Sequence, residues 1–332
     1  MKSLIQLAAP FALALVATSA LAAPKSVAGL AYEAAPYYAT TQPSTPAGTE
    51  TPYNTRHRPA YGGPQDGVAR LIIDTTEGSF LCSGALLGDG LHILTAAHCV
   101  TDGAGVLTTI GGTASFGITP TGSFTGLLSA PVAIASVTVN PGWNGDYLFN
   151  GYDLAILTLA EAAPIEATRY DIYRESDEIG RVGTKSGWGT IGQGDVGTVG
   201  SPGSGWRTGQ NMWEMSAATF WEDDTVNDGI MMYDFDNGLA ANDAFGAYFG
   251  LNDLGLGDME VVSAPGDSGG PTFIDGKVAG ITSFGLTFTD ARDASGNRIC
   301  LPGNPDIFCA LNSSYGEFAG DTRVSAYAAW ID

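Results

Sequence analysis

The chain of 332 residues has few basic side chains and no histidine beyond residue 98. Lysine and arginine together number 14 against 35 acidic residues, which gives a formal charge of −21. Such a surface repels phosphate backbones, so we expect no nucleic-acid partner. The three histidines are His57, His92 and His98, and any catalytic use of an imidazole must therefore draw on the first third of the chain.

Long apolar runs are absent after the N-terminus. The chain starts with Lys2, an apolar run from Leu4 to about Val16 and the small residues of "ATSALAAP". This order predicts a signal peptide in residues 1–22, because the run is shorter than the roughly 20 residues of a spanning helix. We therefore expect a secreted protein, extracellular or periplasmic, that does not interact with membranes.

Cysteine is scarce, with four residues at Cys82, Cys99, Cys300 and Cys309. An even number in a secreted chain favours disulfides over metal ligands. Four cysteines allow three pairings. The close spacings favour Cys82 with Cys99 and Cys300 with Cys309, each pair closing a short loop.

Helical periodicity is missing almost throughout the chain. From Val68 onward, short β-rich runs alternate with Gly, Asp, Asn and Pro turns, a pattern that predicts an all-β barrel or sandwich. The exception is the closing "TRVSAYAAWI", which predicts a helix with Val324 and Ile331 on its apolar face. Residues 23–59 lack a sustained apolar pattern and predict a propeptide or a disordered leader.

The octapeptide "APGDSGGP" places Ser268 between glycines and beside an acid. The pattern fits the nucleophile elbow of α/β-hydrolases and also the nucleophile turn of chymotrypsin-like proteases. The first interpretation needs a histidine after the serine, and the sequence has none. The order His, Asp, Ser can be filled, by His98 in "LTAAHCV", Asp153 in "GYDLAILTLA" and Ser268.

Each member of this set has a chemical task. A serine hydroxyl is a poor nucleophile until a neutral imidazole accepts its proton, and a carboxylate fixes the imidazole tautomer and stabilises the imidazolium. Asp153 precedes an apolar strand, where its carboxylate would be partly desolvated. The backbone N–H groups of Gly266 and Ser268 are predicted to form the oxyanion hole.

"LTAAHC", "DLAIL" and "GDSGGP", in this order, resemble motifs of the chymotrypsin/trypsin-like serine protease family, as do "SGWG" and "RVSAYAAWI". The resemblance covers roughly residues 60–332. It implies two perpendicular six-stranded β-barrels, about 60–165 and about 166–332, with a C-terminal helix and the triad in the cleft between the barrels. It implies a serine endopeptidase that hydrolyses polypeptides through an acyl-enzyme, with no cofactor required, and we expect a monomer.

The resemblance also assigns a substrate pocket. It places Val262 at the pocket floor and Ser263 in the wall. Ser283, Phe284 and Gly285 resemble the segment whose backbone pairs with the substrate as an added strand. A neutral floor predicts a preference for apolar side chains over Lys or Arg before the cleaved bond.

Activation in the family uses a freed α-amino group that pairs with the acid before the nucleophile, which is Asp267 here. The stretch "AYGG", residues 60–63, is faintly similar to the family's mature start. We expect propeptide cleavage within residues 56–61, with a site that is ordered without cleavage as the alternative. Ala264 stands where the family usually has a cysteine that braces the pocket.

An acidic segment separates "GWG" from the nucleophile. Its "DFDNG" contains Asp234 and Asp236, whose oxygens are the ligand type that calcium takes. The alternative interpretation is a solvated turn, since the complete ligand set of a calcium loop is not present.

Two other functions stay open beside the protease. One is a protease-fold protein that binds without turnover, and the other is an esterase that uses the same triad.

Overall fold

The computed structural model describes residues 27, 30–36, 39–40, 57–60, 62–117, 128–199, 206–288, 291–292, 298–299 and 302–332. The predicted signal peptide, residues 1–22, lies outside these ranges.

Strands dominate the described residues. In chain order they are β1 Tyr32–Pro36, β2 Ala39–Thr40, β3 Val68–Thr75, β4 Gly78–Leu86, β5 His92–Thr95, β6 Thr109–Phe116, β7 Val132–Val139, β8 Ala155–Leu159, β9 Val182–Gly187, β10 Ile191–Gln193, β11 Gly197–Val199, β12 Arg207–Met212, β13 Met215–Ser216, β14 Ile230–Asp234, β15 Pro271–Ile274, β16 Lys277–Phe288, β17 Ala291–Arg292, β18 Arg298–Ile299 and β19 Phe318–Arg323. The helices are α1 Ala217–Trp221, α2 Ala244–Phe249 and α3 Ala328–Ile331, with 3₁₀ turns at Ala97–Cys99, Gly257–Met259 and Ser325–Tyr327.

Six antiparallel strands of the first half close into a barrel. Their order is β4-β3-β6-β7-β8-β5, and β5 returns to β4 through Ala85 opposite Leu94 and Leu86 opposite Ile93. Alternate residues of β3 such as Leu71 and Ile73 are fully buried, as expected for strands with one face toward a core. The barrel is therefore a packed core that positions loops at its rim.

The second half forms a sheet in the order β12-β9-β15-β16-β19-β14-β13. The resemblance implied a second closed barrel of six strands, whereas the pairings among the described residues leave this sheet open. A cluster of aromatic rings from α1, α2 and the sheet packs on one face of it. Phe220 and Phe245 pack on Phe288 of β16 and Phe318 of β19, so helices cover this apolar face.

Two strands belong to the N-terminal leader. β1 adds to the edge of β16, and β2 pairs with β4. This differs from the expectation of a disordered leader, because strand edges in the rest of the chain supply pairing that the leader's own composition cannot. Val27 is also buried, in the same aromatic cluster as Phe220 and Phe288.

The C-terminal helix occurs as predicted, as a 3₁₀ turn followed by α3. Val324 and Tyr327 are buried in the core of the first barrel, and Ile331 packs against it. The C-terminal segment, which follows the second half of the chain, thus packs against the first half. No helix among the residues described here is both long and apolar enough to cross a membrane.

Candidate active site

His98 lies in the 3₁₀ turn that follows β5, at the rim of the closed barrel. Its side chain is buried, with 8% of the residue exposed. The next residue, Cys99, forms a disulfide with Cys82 of β4, which confirms this predicted pairing. The covalent bond fixes the histidine turn to a central strand. The other predicted pair is not tested, because Cys300 lies outside the described residues.

Asp153 is fully buried just before β8 and holds the histidine from two sides. Its Oδ1 accepts a hydrogen bond from the His98 backbone N–H (2.9 Å), and its Oδ2 lies 2.6 Å from His98 Nδ1. Ser283 Oγ donates a further bond to Oδ2 (2.5 Å). Burial alone would raise the pKa of Asp153. The charge of His98 and these hydrogen bonds outweigh that effect and hold the pKa below its ordinary value.

Ser268 completes the arrangement from the second half of the chain. Its Oγ lies 2.6 Å from His98 Nε2, and the residue is fully buried. The Ser268 carbonyl accepts from Ser83 N–H of β4 (2.7 Å), and Gly269 N–H donates to Thr282 O of β16 (2.8 Å). The structure therefore brings His98, Asp153 and Ser268 into one continuous hydrogen-bonded chain.

Gly266 adopts a backbone conformation that favours glycine, with φ of +103°. A Cβ atom here would lie 2.8 Å from Gly189 Cα, so the position also lacks space. The Gly266 carbonyl accepts a hydrogen bond from Ser83 Oγ (3.0 Å). This bond directs the carbonyl toward β4 and fixes the turn two residues before Ser268.

Asp267 accepts hydrogen bonds from the backbone of two separate segments. Its Oδ1 accepts from Gly189 N–H (2.8 Å), and its Oδ2 accepts from Ala264 N–H (2.9 Å). Burial raises its pKa to about 6, against the opposing effects of these bonds and of the charges of Lys185 and Arg207. The carboxylate thus connects the "SGWG" segment to the nucleophile turn.

The predicted pocket residues Val262 and Ser263 line one cavity of about 110 Å³ together with Asp267. Val262 is half-buried against an apolar cluster that includes Tyr233. Ser263 Oγ lies 3.0 Å from Tyr233 Oη, so the tyrosine hydroxyl forms part of the surroundings. His57 lines the same cavity, close to the segment in which we expect cleavage.

Lys185 and Asp321 form a buried ion pair in the same half of the chain. Lys185 Nζ lies 2.6 Å from Asp321 Oδ2 and 2.8 Å from Thr272 Oγ1. It also lies over the Tyr233 ring, 4.3 Å from the ring centre. Burial lowers the pKa of Lys185, while Asp321 opposes that shift. The sequence did not predict this ion pair, because a single lysine in a strand does not indicate a buried acidic partner.

Ser283, Phe284 and Gly285 follow one another on β16. Ser283 contacts Asp153 as described, a role that the sequence did not indicate. Phe284 is fully buried and packs on Tyr147, with ring centres 5.5 Å apart. Gly285 pairs with Ala35 of β1.

Asp234 and Asp236 lie in a buried group of acids that is larger than the sequence indicated. Their carboxylates approach that of Asp243, with ligand oxygens of all three within 4.8 Å of one another. Glu214 forms a hydrogen bond with Asp234, and Glu260 accepts from Asp236 N–H (2.7 Å). Asp243 and Glu214 were missed because they come from other segments than "DFDNG".

Comparison with known proteins supports the assignment of the fold. The trypsin family model matches residues 55–210, a range that contains His98 and Asp153 and ends before Ser268. Among solved structures the chain is similar to neuropsin, a serine protease expressed in the limbic system of mouse brain. The two share 18% identity with a TM-score of 0.53, over 83% of this chain and 96% of that one. No curated protein matches.

The fold is that of the chymotrypsin-like proteins, with one closed six-stranded barrel and one half-barrel sheet. The match of residues 55–210 to the trypsin family model supports a relationship to the chymotrypsin/trypsin-like serine proteases.

Proposed function

We propose that the protein is a secreted serine endopeptidase. The observation that carries this proposal is the chain of contacts from Ser268 Oγ to His98 Nε2 and from His98 Nδ1 to Asp153 Oδ2, each 2.6 Å long. These are the distances that a nucleophile, its general base and an orienting carboxylate require.

In the proposed reaction His98 Nε2 removes the proton of Ser268 Oγ as the oxygen attacks the substrate carbonyl carbon. The N–H groups of Gly266 and Ser268 stabilise the resulting oxyanion, a contribution of about 3–4 kcal/mol for a donor in comparable sites. His98 then gives its proton to the leaving amine, which leaves an acyl-enzyme. A water molecule that transfers its proton to His98 hydrolyses the ester and restores Ser268.

The proposed pocket has a neutral floor at Val262. A buried aspartate at that position would pair with a Lys or Arg side chain of the substrate, whereas valine offers only apolar contact. We therefore propose that apolar side chains are preferred before the cleaved bond. A panel of chromogenic peptide amides tests this, and faster cleavage after Arg or Lys would contradict it.

Processing forms part of the proposal. Residues 1–22 act as a signal peptide, residues 23–59 as a propeptide, and residues 60–332 as the protease domain. Cleavage within residues 56–61 frees an α-amino group near the cavity that His57 shares with Asp267. N-terminal sequencing of the secreted product tests this, because a start outside that window excludes the assigned site.

The hydrolase is distinguished from its alternatives by two measurements. A fluorophosphonate should label the wild-type protein covalently and fail to label Ser268→Ala, whereas a protein that only binds would not be labelled. Hydrolysis of casein as well as small esters indicates a protease, while hydrolysis of esters alone indicates an esterase.

A further inference from the structure

The buried acids at the end of β14 share one space. Asp236 is 5% exposed, and its Oδ1 has no hydrogen-bond partner among the described atoms. A buried carboxylate oxygen without a partner carries a large desolvation penalty, and this one faces the carboxylates of Asp234 and Asp243.

The neighbouring acids each have one oxygen already oriented by backbone. Asp234 Oδ2 accepts from Ala244 N–H (2.8 Å) and Phe245 N–H (2.9 Å). Asp243 Oδ1 accepts from Gly246 N–H. The backbone thus orients one oxygen of each side chain, and Glu214 contacts Asp234 as well, an arrangement in which outer contacts orient potential ligands.

The charges near Asp236 make the group unfavourable without a cation. The carboxylates of Asp234 and Asp243 lie within 4.8 Å of that of Asp236, and Glu260 accepts a hydrogen bond from its backbone N–H. Asp236 and Glu260 also line a cavity of about 410 Å³, which offers an access route.

The geometry points to a calcium site formed by Asp234, Asp236 and Asp243. Two oxygens that bind one Ca²⁺ at roughly 2.4 Å can lie at most about 4.8 Å apart, and the three carboxylates meet this limit. Calcium suits the site because it accepts irregular sets of carboxylate oxygens, whereas Mg²⁺ requires near-octahedral geometry.

Calorimetric titration of the EDTA-treated full chain with CaCl₂ tests the site. We expect one bound Ca²⁺, at least about tenfold weaker binding for Asp236→Asn, and unchanged binding for the exposed control Asp224→Asn. Wild-type protein without binding heat, or Asp236→Asn with wild-type affinity, overturns the proposal. Equal affinity for MgCl₂ overturns the assignment to calcium.

Thermal melting distinguishes a calcium ligand at Asp236 from an acid that only stabilises the fold. Asp236→Asn replaces a buried acid that faces other acids by a neutral side chain of the same shape, so the metal-free variant should melt no lower than the metal-free wild type. Only the wild type should gain stability with CaCl₂. A variant that is less stable and still stabilised by calcium contradicts the site.

A second observation concerns the leader and rests on the proposed function. In β1, Pro36 pairs opposite Phe284, Ala35 opposite Gly285 and Ala34 opposite Leu286. This is the edge of β16 that begins directly after Ser283, whose hydroxyl contacts Asp153. An extended peptide substrate that adds a strand here would need the same backbone groups.

The leader pairs with a strand of the first barrel as well. Ala39 pairs opposite Leu81 of β4, the residue before the disulfide-bonded Cys82. Pro36 lines a cavity of about 270 Å³ together with His98. The Cα atoms of Pro36 and Ala39 can be at most roughly 11 Å apart, so the two covered edges flank the same short part of the cleft.

The N-terminal end of this segment is anchored in the second half of the molecule. Val27 is 1% exposed within the aromatic cluster, and the Tyr32 ring packs 5.1 Å from that of Trp221. Tyr147 Oη donates to Ala34 O (3.4 Å). These contacts lie outside the strand pairing and add to its stability.

We infer that the leader strands β1 and β2 inhibit the protein intramolecularly by occupying the position of the substrate backbone. While β1 pairs with β16, an incoming peptide cannot form the same strand. The active fraction is therefore set by release of this segment, either by dissociation or by proteolysis of the leader.

The test uses full-length protein whose mass shows that the leader is intact. The double variant Ala34→Pro, Ala35→Pro removes the N–H donors of two adjacent residues, one of which must face β16 in an antiparallel pair. Ser268 should be labelled by a fluorophosphonate at least about tenfold faster than in wild type. The control Ala31→Pro, in an exposed residue before β1, should label at the wild-type rate.

The outcomes separate the two proposals. Absence of labelling in all proteins contradicts the hydrolase, whereas equal labelling of wild type and the double variant overturns the inhibition. Should the variant fail to fold, hydrogen exchange of Ser268→Ala decides. A saturating substrate peptide should accelerate exchange in residues 32–36 by displacing them, and unchanged exchange overturns the inference.

Discussion

Lys185 Nζ and Asp321 Oδ2 lie 2.6 Å apart inside the second sheet, with the lysine 5% exposed and the aspartate fully buried. The Asp321 Oδ2 atom also accepts from Trp213 Nε1 and Thr272 Oγ1, and Oδ1 accepts from Lys185 Nζ, so both oxygens have partners. Two charges in this setting depend on each other, because either one alone would be buried without compensation.

Lys185→Met should therefore lower the free energy of unfolding by about 3–5 kcal/mol, since Asp321 loses its partner. The double variant Lys185→Met, Asp321→Leu should regain most of this loss, which chemical denaturation can measure. Lys277→Met, at an exposed lysine, serves as the control. A double variant no more stable than Lys185→Met would show that the two charges are not coupled.

The hydrogen bond from Ser283 to Asp153 predicts a positioning role. Ser283→Ala should lower kcat about tenfold with KM unchanged, because one charge-assisted bond that orients the carboxylate is lost. Asp153→Asn should lower kcat by about 10⁴-fold. Ser176→Ala, at an exposed serine, should have no effect. A change in KM alone would place Ser283 in substrate binding instead.

Gly266 offers a test of the oxyanion hole. Gly266→Ala introduces a Cβ into the 2.8 Å space beside Gly189 and should lower kcat/KM by about 10²–10³-fold. Gly276→Ala is the matched control, since its φ of +75° is also positive but no atom lies within 4 Å. It should lower stability slightly and leave kcat/KM unchanged. Equal effects on kcat/KM would trace the loss to backbone strain alone.

The acid group predicts an unusual dependence of stability on pH. Burial raises the pKa of Glu260 to about 7 and that of Asp243 to about 6. The folded protein therefore binds protons that the unfolded chain releases, and stability falls as pH rises from about 4 to about 7.

Thermal melting in EDTA should consequently give a lower Tm at pH 8 than at pH 5.5. Saturating CaCl₂ should reduce the difference, because the cation stabilises the ionised form. Asp224→Asn should behave as wild type. A Tm that is independent of calcium at both pH values would contradict the prediction.

The sequence predicted those features that depend on local motifs. The positions of His98, Asp153 and Ser268 were found from chain order and from the absence of a later histidine, and the structure brings these residues together. The Cys82–Cys99 bond followed from spacing. Their catalytic roles stay predictions until the labelling experiment is done.

The remaining features depend on pairing between distant segments. Composition predicted a propeptide or a disordered leader and gave no sign of a strand, whereas β1 pairs with β16 about 250 residues later in the chain. The sequence did not predict that Glu214 and Asp243 lie close to the acids of "DFDNG", because this proximity depends on the fold. The helices α1 and α2, which cover the second sheet, are too short to show a helical period.

The disulfide between Cys82 and Cys99 has a consequence for biogenesis. It closes a loop of 17 residues within a barrel whose strands all precede residue 160, so the barrel's chain is complete long before Ser268 emerges from a ribosome or a translocon. Oxidation of this pair can therefore record when the first half has folded. A thiol-trapping experiment on nascent chains would give the order in which the two halves of the cleft are built.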